Sequence, residues 1–354
     1  MMVKPSSSNC NLRCEYCFYH SLSRCREAFS HGMLPLETME QVIIKALRYA
    51  DGGRVYLSFQ GGEPLLRGKQ FYREVRHMIT RHNLLNSEVV MVVQTNGTLL
   101  DDEWCEILKG CLIGISLDGP REYNKYRIDT EGNPTFERVY DAINILETNH
   151  MDYNVLGVVT KLVANHGTEI YDTFKSWGLK YLQFTPCLRP FGEPDVVSDM
   201  YMTGREYGEF LWTVFKRYFN DFVHDNYISI RLFDNFVRRV AGKDAEQCGM
   251  NGQCTRQFVI EGDGAVYPCD FYCVDEYYLG NINDTDFDSL ERSEVARGFI
   301  LESLVVEEKC KTCPFYALCK NGCKRERVDV EKCEAYQYFF ARALPLLKML
   351  APYC

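Results

Sequence analysis

Three things are missing from this chain, and each absence narrows what it can be. No run approaches about 18 consecutive apolar residues, so no membrane-spanning helix is expected. The opening MMVKPSSSNCN has no apolar core of the kind a signal peptide needs, so no export is expected. Positive charge is in deficit: 40 Lys and Arg against 49 Asp and Glu leave a net charge of −9, which argues against a general nucleic-acid binder. The rest of the composition is ordinary for a water-soluble chain, with 46% apolar and 25% charged residues. At 354 residues there is room for one large domain and a small one.

What the chain has in excess is cysteine, 17 in all. In a chain of this size without export signals, close-spaced cysteines point to metal or catalysis in a reducing cytoplasm rather than to disulfides. Cys10, Cys14 and Cys17 form C-x3-C-x2-C within eight residues. Three thiolates can hold three irons of a four-iron, four-sulfur cluster and leave the fourth iron open for chemistry. A zinc site completed by His20 is the alternative on spacing alone.

Between residues 50 and 186, short apolar runs alternate with longer amphipathic stretches. The runs Val55–Phe59, Val89–Val93, Leu112–Leu117, Val155–Val159 and Tyr181–Thr185 read as buried parallel strands, with a first short strand expected before Cys10. Leu36–Tyr49, Phe71–His82, Thr135–Glu147 and His166–Trp177 read as helices between them. Six strands alternating with helices imply a parallel α/β unit, either an open sheet or a partial barrel. The polar motifs QGGEP (Gln60–Pro64), QTNG (Gln94–Gly97) and SLDGP (Ser116–Pro120) fall where strands end, as does the cysteine triplet. Sites in parallel α/β folds gather at those ends. Gly61 and Gly62 beside Glu63 suit either a tight turn or close approach to a small molecule carrying an amino group and a carboxylate.

The second half is cysteine-rich. Tyr207–Phe222 reads as a helix, and Tyr227–Val237 as strand then helix. Gly262-Asp263-Gly264 separates two alternating runs and signals a hairpin. Cys248, Cys254, Cys269, Cys310, Cys313, Cys319, Cys323 and Cys333 are eight candidate ligands, enough for two closed four-iron clusters or for two zinc sites. Cys273 could compete as a ligand, whereas Cys25, Cys105, Cys111, Cys187 and Cys354 read as ordinary thiols.

CNLRCEYC followed by Phe18 resembles the signature of radical S-adenosylmethionine enzymes, and QGGEP resembles their GGE segment. The second half resembles the SPASM auxiliary-cluster domain. Together with FQGGEPLL, QTNGTLL, SLDGP, CGMNGQC and VYPCDFY, the chain is similar over nearly its whole length to anaerobic sulfatase-maturating enzymes. The resemblance implies an α/β fold: a partial (β/α)6 TIM-like barrel over 1–235, a small SPASM domain with a β-hairpin over 236–335, and a C-terminal helix over 336–354. It implies three [4Fe-4S] clusters. Cys10, Cys14 and Cys17 would bind the reactive one, Cys248, Cys254, Cys269 and Cys323 the second, and Cys310, Cys313, Cys319 and Cys333 the third. S-adenosylmethionine contacts would map to Gln60, Gly61, Gly62, Glu63, Gln94, Ser116, Asp118 and Arg127.

The implied activity is oxidation of a peptidyl cysteine or serine of a sulfatase to Cα-formylglycine, begun by a 5′-deoxyadenosyl radical, with Asp270 as base. The implied partners are an unfolded or nascent sulfatase and a flavodoxin or ferredoxin, with no nucleic acid and no membrane, in the cytoplasm. An acidic surface would suit the arginine of such a substrate. One alternative is a related enzyme that installs a thioether or carbon–carbon crosslink in a ribosomal peptide. The cluster motif at residue 10 leaves no space before it for the peptide-recognition domain such enzymes often carry. Another alternative is a non-catalytic zinc or electron-transfer protein.

Overall fold

The computed structural model describes residues 1–329 and 332–354. The chain forms two compact units that interleave in sequence. The first comprises Met1–Ser116, Arg127–Tyr153 and Thr255–Phe299; the second comprises Leu117–Tyr126, Asn154–Cys254 and Ile300–Cys354.

Ten strands are present among the described residues: β1 (Met2–Val3), β2 (Arg54–Phe59), β3 (Glu88–Thr95), β4 (Leu112–Ser116), β5 (Tyr153–Val159), β6 (Tyr181–Pro186), β7 (Ser229–Ile230), β8 (Val259–Ile260), β9 (Ala265–Tyr267) and β10 (Gly280–Asn281). In the first unit β1 pairs in parallel with β2, β2 with β3, and β3 with β4. On its other side β1 pairs in parallel with β8, which opens the antiparallel ribbon β8–β9–β10. The fold class is therefore α/β with a mostly parallel sheet, and the expected Gly262–Gly264 hairpin is the turn between β8 and β9. In the second unit β5, β6 and β7 are parallel neighbours.

The helices follow the 3.6-residue pattern of the sequence. Leu36–Ala50 buries Met39, Val42, Ile43, Ala46 and Leu47 and ends at Asp51 in the left-handed conformation. Lys69–His82 sets Phe71 and Tyr72 edge-on against Phe59 of β2. The expected His166–Trp177 helix is Gly167–Ser176, and a short helix that the periodicity does not mark, Lys161–Asn165 capped by Thr160, precedes it with a break at His166. Gly167 explains the close packing after that break. A Cβ there would come within 2.5 Å of Phe210 on the Gly204–Val223 helix. That helix also packs against the Lys332–Leu350 helix, where Phe215 meets Phe339 at 5.3 Å between ring centroids. No described helix is long and apolar enough to cross a membrane.

Candidate active site

The first unit brings the cysteine triplet together with residues from distant parts of the chain. The loop carrying Cys10, Cys14 and Cys17 follows β1, at the carboxyl end of the parallel strands. Its N-terminal arm packs tightly on the QGGEP turn. Gly61 and Gly62 both have positive φ; a Cβ on Gly61 would meet Lys4 at 2.4 Å, and one on Gly62 would meet the Asn9 carbonyl at 2.2 Å. The glycines thus serve close approach to the cysteine-bearing arm. Glu63 completes the join, donating its N–H to the Asn9 carbonyl at 2.8 Å while its own carbonyl accepts from Ser6 Oγ at 2.5 Å.

The Glu63 carboxylate points inward and is fully buried. Oε1 accepts from the Leu65 N–H and Thr95 Oγ1, and Oε2 accepts from the Asn96 N–H, all at 2.7–3.0 Å. Burial pushes this carboxyl up to about 7, against the pull of those three donors. Its carboxylate is therefore occupied by the QTNG turn. Burial likewise pushes the Cys10 thiol up to about 12, and raises Cys17. Thiols so placed ionise only with a positive centre beside them, which is what an iron–sulfur cluster supplies. Arg127 is buried beside this loop, its guanidinium 5.5 Å from the Tyr16 ring centroid, and its charge favours the Cys17 thiolate. His20, the alternative zinc ligand, faces Arg24 at 3.0 Å through Nε2.

Asp270 lies in the same unit, on a turn after β9. Tyr19, two residues past Cys17, donates its hydroxyl to Asp270 Oδ2 at 2.6 Å, and Gln60 Nε2 donates to the Tyr19 oxygen at 2.7 Å. Asp270 Oδ1 is buried without a hydrogen-bond partner among the described residues. Burial raises the Asp270 carboxyl, opposed by the Lys4 charge and the Tyr19 hydrogen bond. Lys4 itself is buried; its ammonium bonds Glu261 Oε1 at 2.7 Å and lies 4.9 Å from the Tyr19 ring centroid. Arg26 meets the same Glu261 oxygen at 2.7 Å, and Ser7 Oγ donates to Oε2. Tyr19, Lys4, Arg26 and Glu261 carried no signal in the sequence, because no spacing rule links residues 19 and 270.

The remaining expected cofactor contacts divide. Gln94 Nε2 donates to Ser116 Oγ at 3.1 Å in the first unit. Asp118, in the second, is buried and accepts from the Val158 N–H at 2.9 Å.

In the second unit Cys310, Cys313, Cys319 and Cys333 line one cavity, with Lys309, Arg327 and Lys332 around them. Cations of this kind suit a thiolate-ligated, negatively charged group. Cys323 lies in the field of Cys248 and Cys254, while Cys319 lies in that of Cys313, Cys310 and Cys333. Cys269 belongs to the first unit, where its carbonyl accepts from the Cys273 thiol at 3.6 Å. Cys105, Cys111, Cys187 and Cys273 are buried; Cys25 and Cys354 are exposed.

The Radical SAM superfamily model matches residues 5–167, and the iron-sulfur cluster-binding SPASM model matches 248–314. Fold and cysteine sites thus define a radical SAM protein with an auxiliary-cluster domain. The chain is 39% identical to a cysteine-type anaerobic sulfatase-maturating enzyme of Clostridium novyi (strain NT), over 99% of this chain and 96% of that one. It is 40% identical to the cysteine-type enzyme of Clostridium perfringens (strain 13 / Type A), over 98% and 96%. A serine-type enzyme of Bacteroides thetaiotaomicron is 28% identical over 99% and 90%. Among solved structures, native anSMEcpe with bound AdoMet matches with a TM-score of 0.95 at 39% identity, covering 100% of this chain and 99% of that one. The chain belongs to the anaerobic sulfatase-maturating enzymes of the radical SAM superfamily.

Proposed function

We propose that this enzyme oxidises a peptidyl cysteine of a sulfatase to Cα-formylglycine, using S-adenosylmethionine and three [4Fe-4S] clusters. The observation that carries the reading is Asp270: a buried carboxylate with one oxygen free, one hydrogen bond away from the loop of Cys10, Cys14 and Cys17. Support for the substrate class comes from relatives. The curated enzymes with 39–40% identity are cysteine-type, and one solved relative, native anSMEcpe, holds AdoMet and the Kp18Cys peptide. The serine-type relative stands at 28%, which favours cysteine over serine.

Bound together, the reactive cluster and S-adenosylmethionine supply the radical that removes a hydrogen from the substrate β-carbon. The chain's own residues do the rest. Cys10, Cys14 and Cys17 hold the reactive cluster. Gln60, Gly61, Gly62, Glu63, Gln94, Ser116, Asp118 and Arg127 form the cofactor-facing set; Glu63 acts there through the turn it holds, since its carboxylate is spent on internal donors. Asp270 Oδ1 takes the proton from the substrate thiol, an acid made stronger by the neighbouring carbon radical. Tyr19 aims the carboxylate through Oδ2, and Gln60 fixes Tyr19. Burial around Asp270 keeps water from competing for that proton. Cys248, Cys254, Cys269 and Cys323 would hold one auxiliary cluster and Cys310, Cys313, Cys319 and Cys333 the other, groups that would supply an acceptor for the second electron. A flavodoxin or ferredoxin in the cytoplasm is the electron partner, and an unfolded or nascent sulfatase the substrate. The chain divides into a barrel over 1–235, an auxiliary domain over 236–335 and a terminal segment over 336–354 that carries most of the Lys332–Leu350 helix.

Anaerobic incubation with a sulfatase-derived cysteine peptide tests this. Mass spectrometry should show CH2–SH replaced by CHO: loss of the hydrogen atom, the thiol proton and the second electron leaves a thioaldehyde, and water then replaces its sulfur with oxygen and releases hydrogen sulfide. A crosslinked peptide, or cofactor cleavage without peptide change, would overturn the assignment.

A further inference from the structure

Asn96 of the QTNG turn has no role in the proposed chemistry, yet its side chain points at the reactive-cluster loop. Asn96 is almost completely buried. Its Nδ2 lies 2.9 Å from Asn11 Oδ1 and 3.8 Å from Cys10 Sγ. The orientation of its amide is fixed by the other end. Oδ1 accepts from the Thr98 N–H at 3.0 Å and from Thr98 Oγ1 at 2.7 Å, so the NH2 must face Asn11 and Cys10. Asn11 is fixed in turn, because its own Nδ2 donates to Thr98 Oγ1 at 2.8 Å. Both lone-pair positions of Asn96 Oδ1 and both of its N–H groups are thereby used.

The backbone beneath is equally constrained. Glu63 Oε2 accepts the Asn96 N–H, Glu63 Oε1 accepts Thr95 Oγ1, and Thr95 Oγ1 accepts the Gly97 N–H at 3.1 Å. A buried carboxylate thus holds the turn, the turn holds the Asn96 amide, and the amide reaches the sulfur. Among the described residues one other donor is aimed at that sulfur, the Leu12 N–H at 3.3 Å.

We propose that Asn96 is a positioning residue that tunes the reactive cluster by donating an N–H to the Cys10 sulfur. Hydrogen bonds to ligating sulfurs withdraw electron density and raise a cluster's reduction potential. The reactive cluster must accept an electron before the cofactor can be cleaved. Asn96 therefore favours the reduced state, and Glu63 and Thr98 act through it. The inference rests on Cys10, Cys14 and Cys17 holding the reactive cluster.

The test is an EPR-monitored redox titration of the reconstituted full chain. The reactive cluster is the signal that changes when S-adenosylmethionine is added. In Asn96→Leu, with wild-type iron content, that signal should be about tenfold less reduced at a fixed potential, equivalent to about 59 mV for one electron. The auxiliary signals should stay where they are. Thr98→Val keeps the amide and its backbone donor but removes the hydroxyl anchor, so it should shift the same signal in the same direction by less. An unchanged potential in an iron-replete Asn96→Leu overturns the proposal. If Asn96→Leu fails to hold the cluster, an unchanged potential in Thr98→Val overturns it instead. A wild-type protein with no adenosylmethionine-sensitive signal would sink the cluster reading itself, which is a different result.

Discussion

The three-cysteine loop of the first unit and the cysteines of the second are held in different ways. The loop of Cys10, Cys14 and Cys17 leans on residues remote in sequence: Glu63, Asn96, Arg127 and, through Lys4 and Arg26, Glu261. The segment bearing Cys310, Cys313, Cys319 and Cys323 consists of four-residue helical turns, Glu308–Lys311 and Tyr316–Cys319, with bonds that are mostly local. Arg327 is its main brace, bonding the carbonyls of Ser303, Val305, Asn321 and Gly322. A centre that must keep one iron open for a ligand has too few protein bonds to define itself, so the surrounding fold does so. A centre closed by four cysteines is shaped by its own metal. The difference is one of scaffolding as much as of ligand count.

Removing one ligand from each kind of site gives the sharpest contrast. Cys10→Ala should abolish reductive cleavage of S-adenosylmethionine, measured as 5′-deoxyadenosine released under reducing anaerobic conditions. Cys310→Ala should lower iron content while cleavage persists, because the open centre retains all three ligands. Equal loss of cleavage in both variants would mean that the two regions are not independent in this respect.

The second contrast is between starting the reaction and finishing it. Asp270→Asn keeps shape and hydrogen bonding but cannot take a proton from the substrate. Iron content and cofactor cleavage should stay near wild type, while formylglycine formation should fall by about 10²–10⁴-fold, the range of a positioned acid–base group. Wild-type aldehyde formation in that variant would remove Asp270 from the base role.

How much of this could be read in the sequence follows the same division. Strands β2 to β6, the Gly262–Gly264 hairpin and most helices follow apolar periodicity and turn chemistry, which are local signals. The five-residue Lys161–Asn165 helix did not show, because it is too short for a 3.6-residue stripe to stand out. The cysteines announced themselves by spacing. Their supports did not. Nothing near Glu63 says that its carboxylate turns toward Thr95 and Asn96, and nothing near Tyr19 says that it meets Asp270. Asp118 reads as a cofactor contact only through the family resemblance, and nothing near it says that Oδ1 also accepts from the Val158 N–H. Hydrogen bonds between distant loops depend on the sheet register that joins them, and no short motif encodes that.

The buried Lys4–Glu261–Arg26 group tests whether remote scaffolding is what holds the first unit. Glu261 is fully buried. Burial alone would raise its carboxyl, but the Lys4 and Arg26 charges win and hold it down to about 2. A carboxyl lowered on folding contributes stability that is fully present above its unfolded value of about 4.5. That contribution should fade as pH falls from about 4.5 toward 2. The lysine runs the opposite way: its pKa is raised by Glu261 despite burial, so its share is complete below the unfolded value and is lost only in strong alkali. Glu261→Gln leaves two cations in the interior without their counter-charge. It should cost about 3–5 kcal/mol, as breaking a buried ion pair does. Urea denaturation near neutral pH measures the loss, and repeating it in acid should bring wild type and variant together. Lys4 is also the cation that opposes protonation of Asp270, so the variant should disturb the base as well as the fold. A variant of wild-type stability at neutral pH would show that this ion group is not what holds the arm bearing the cysteine loop.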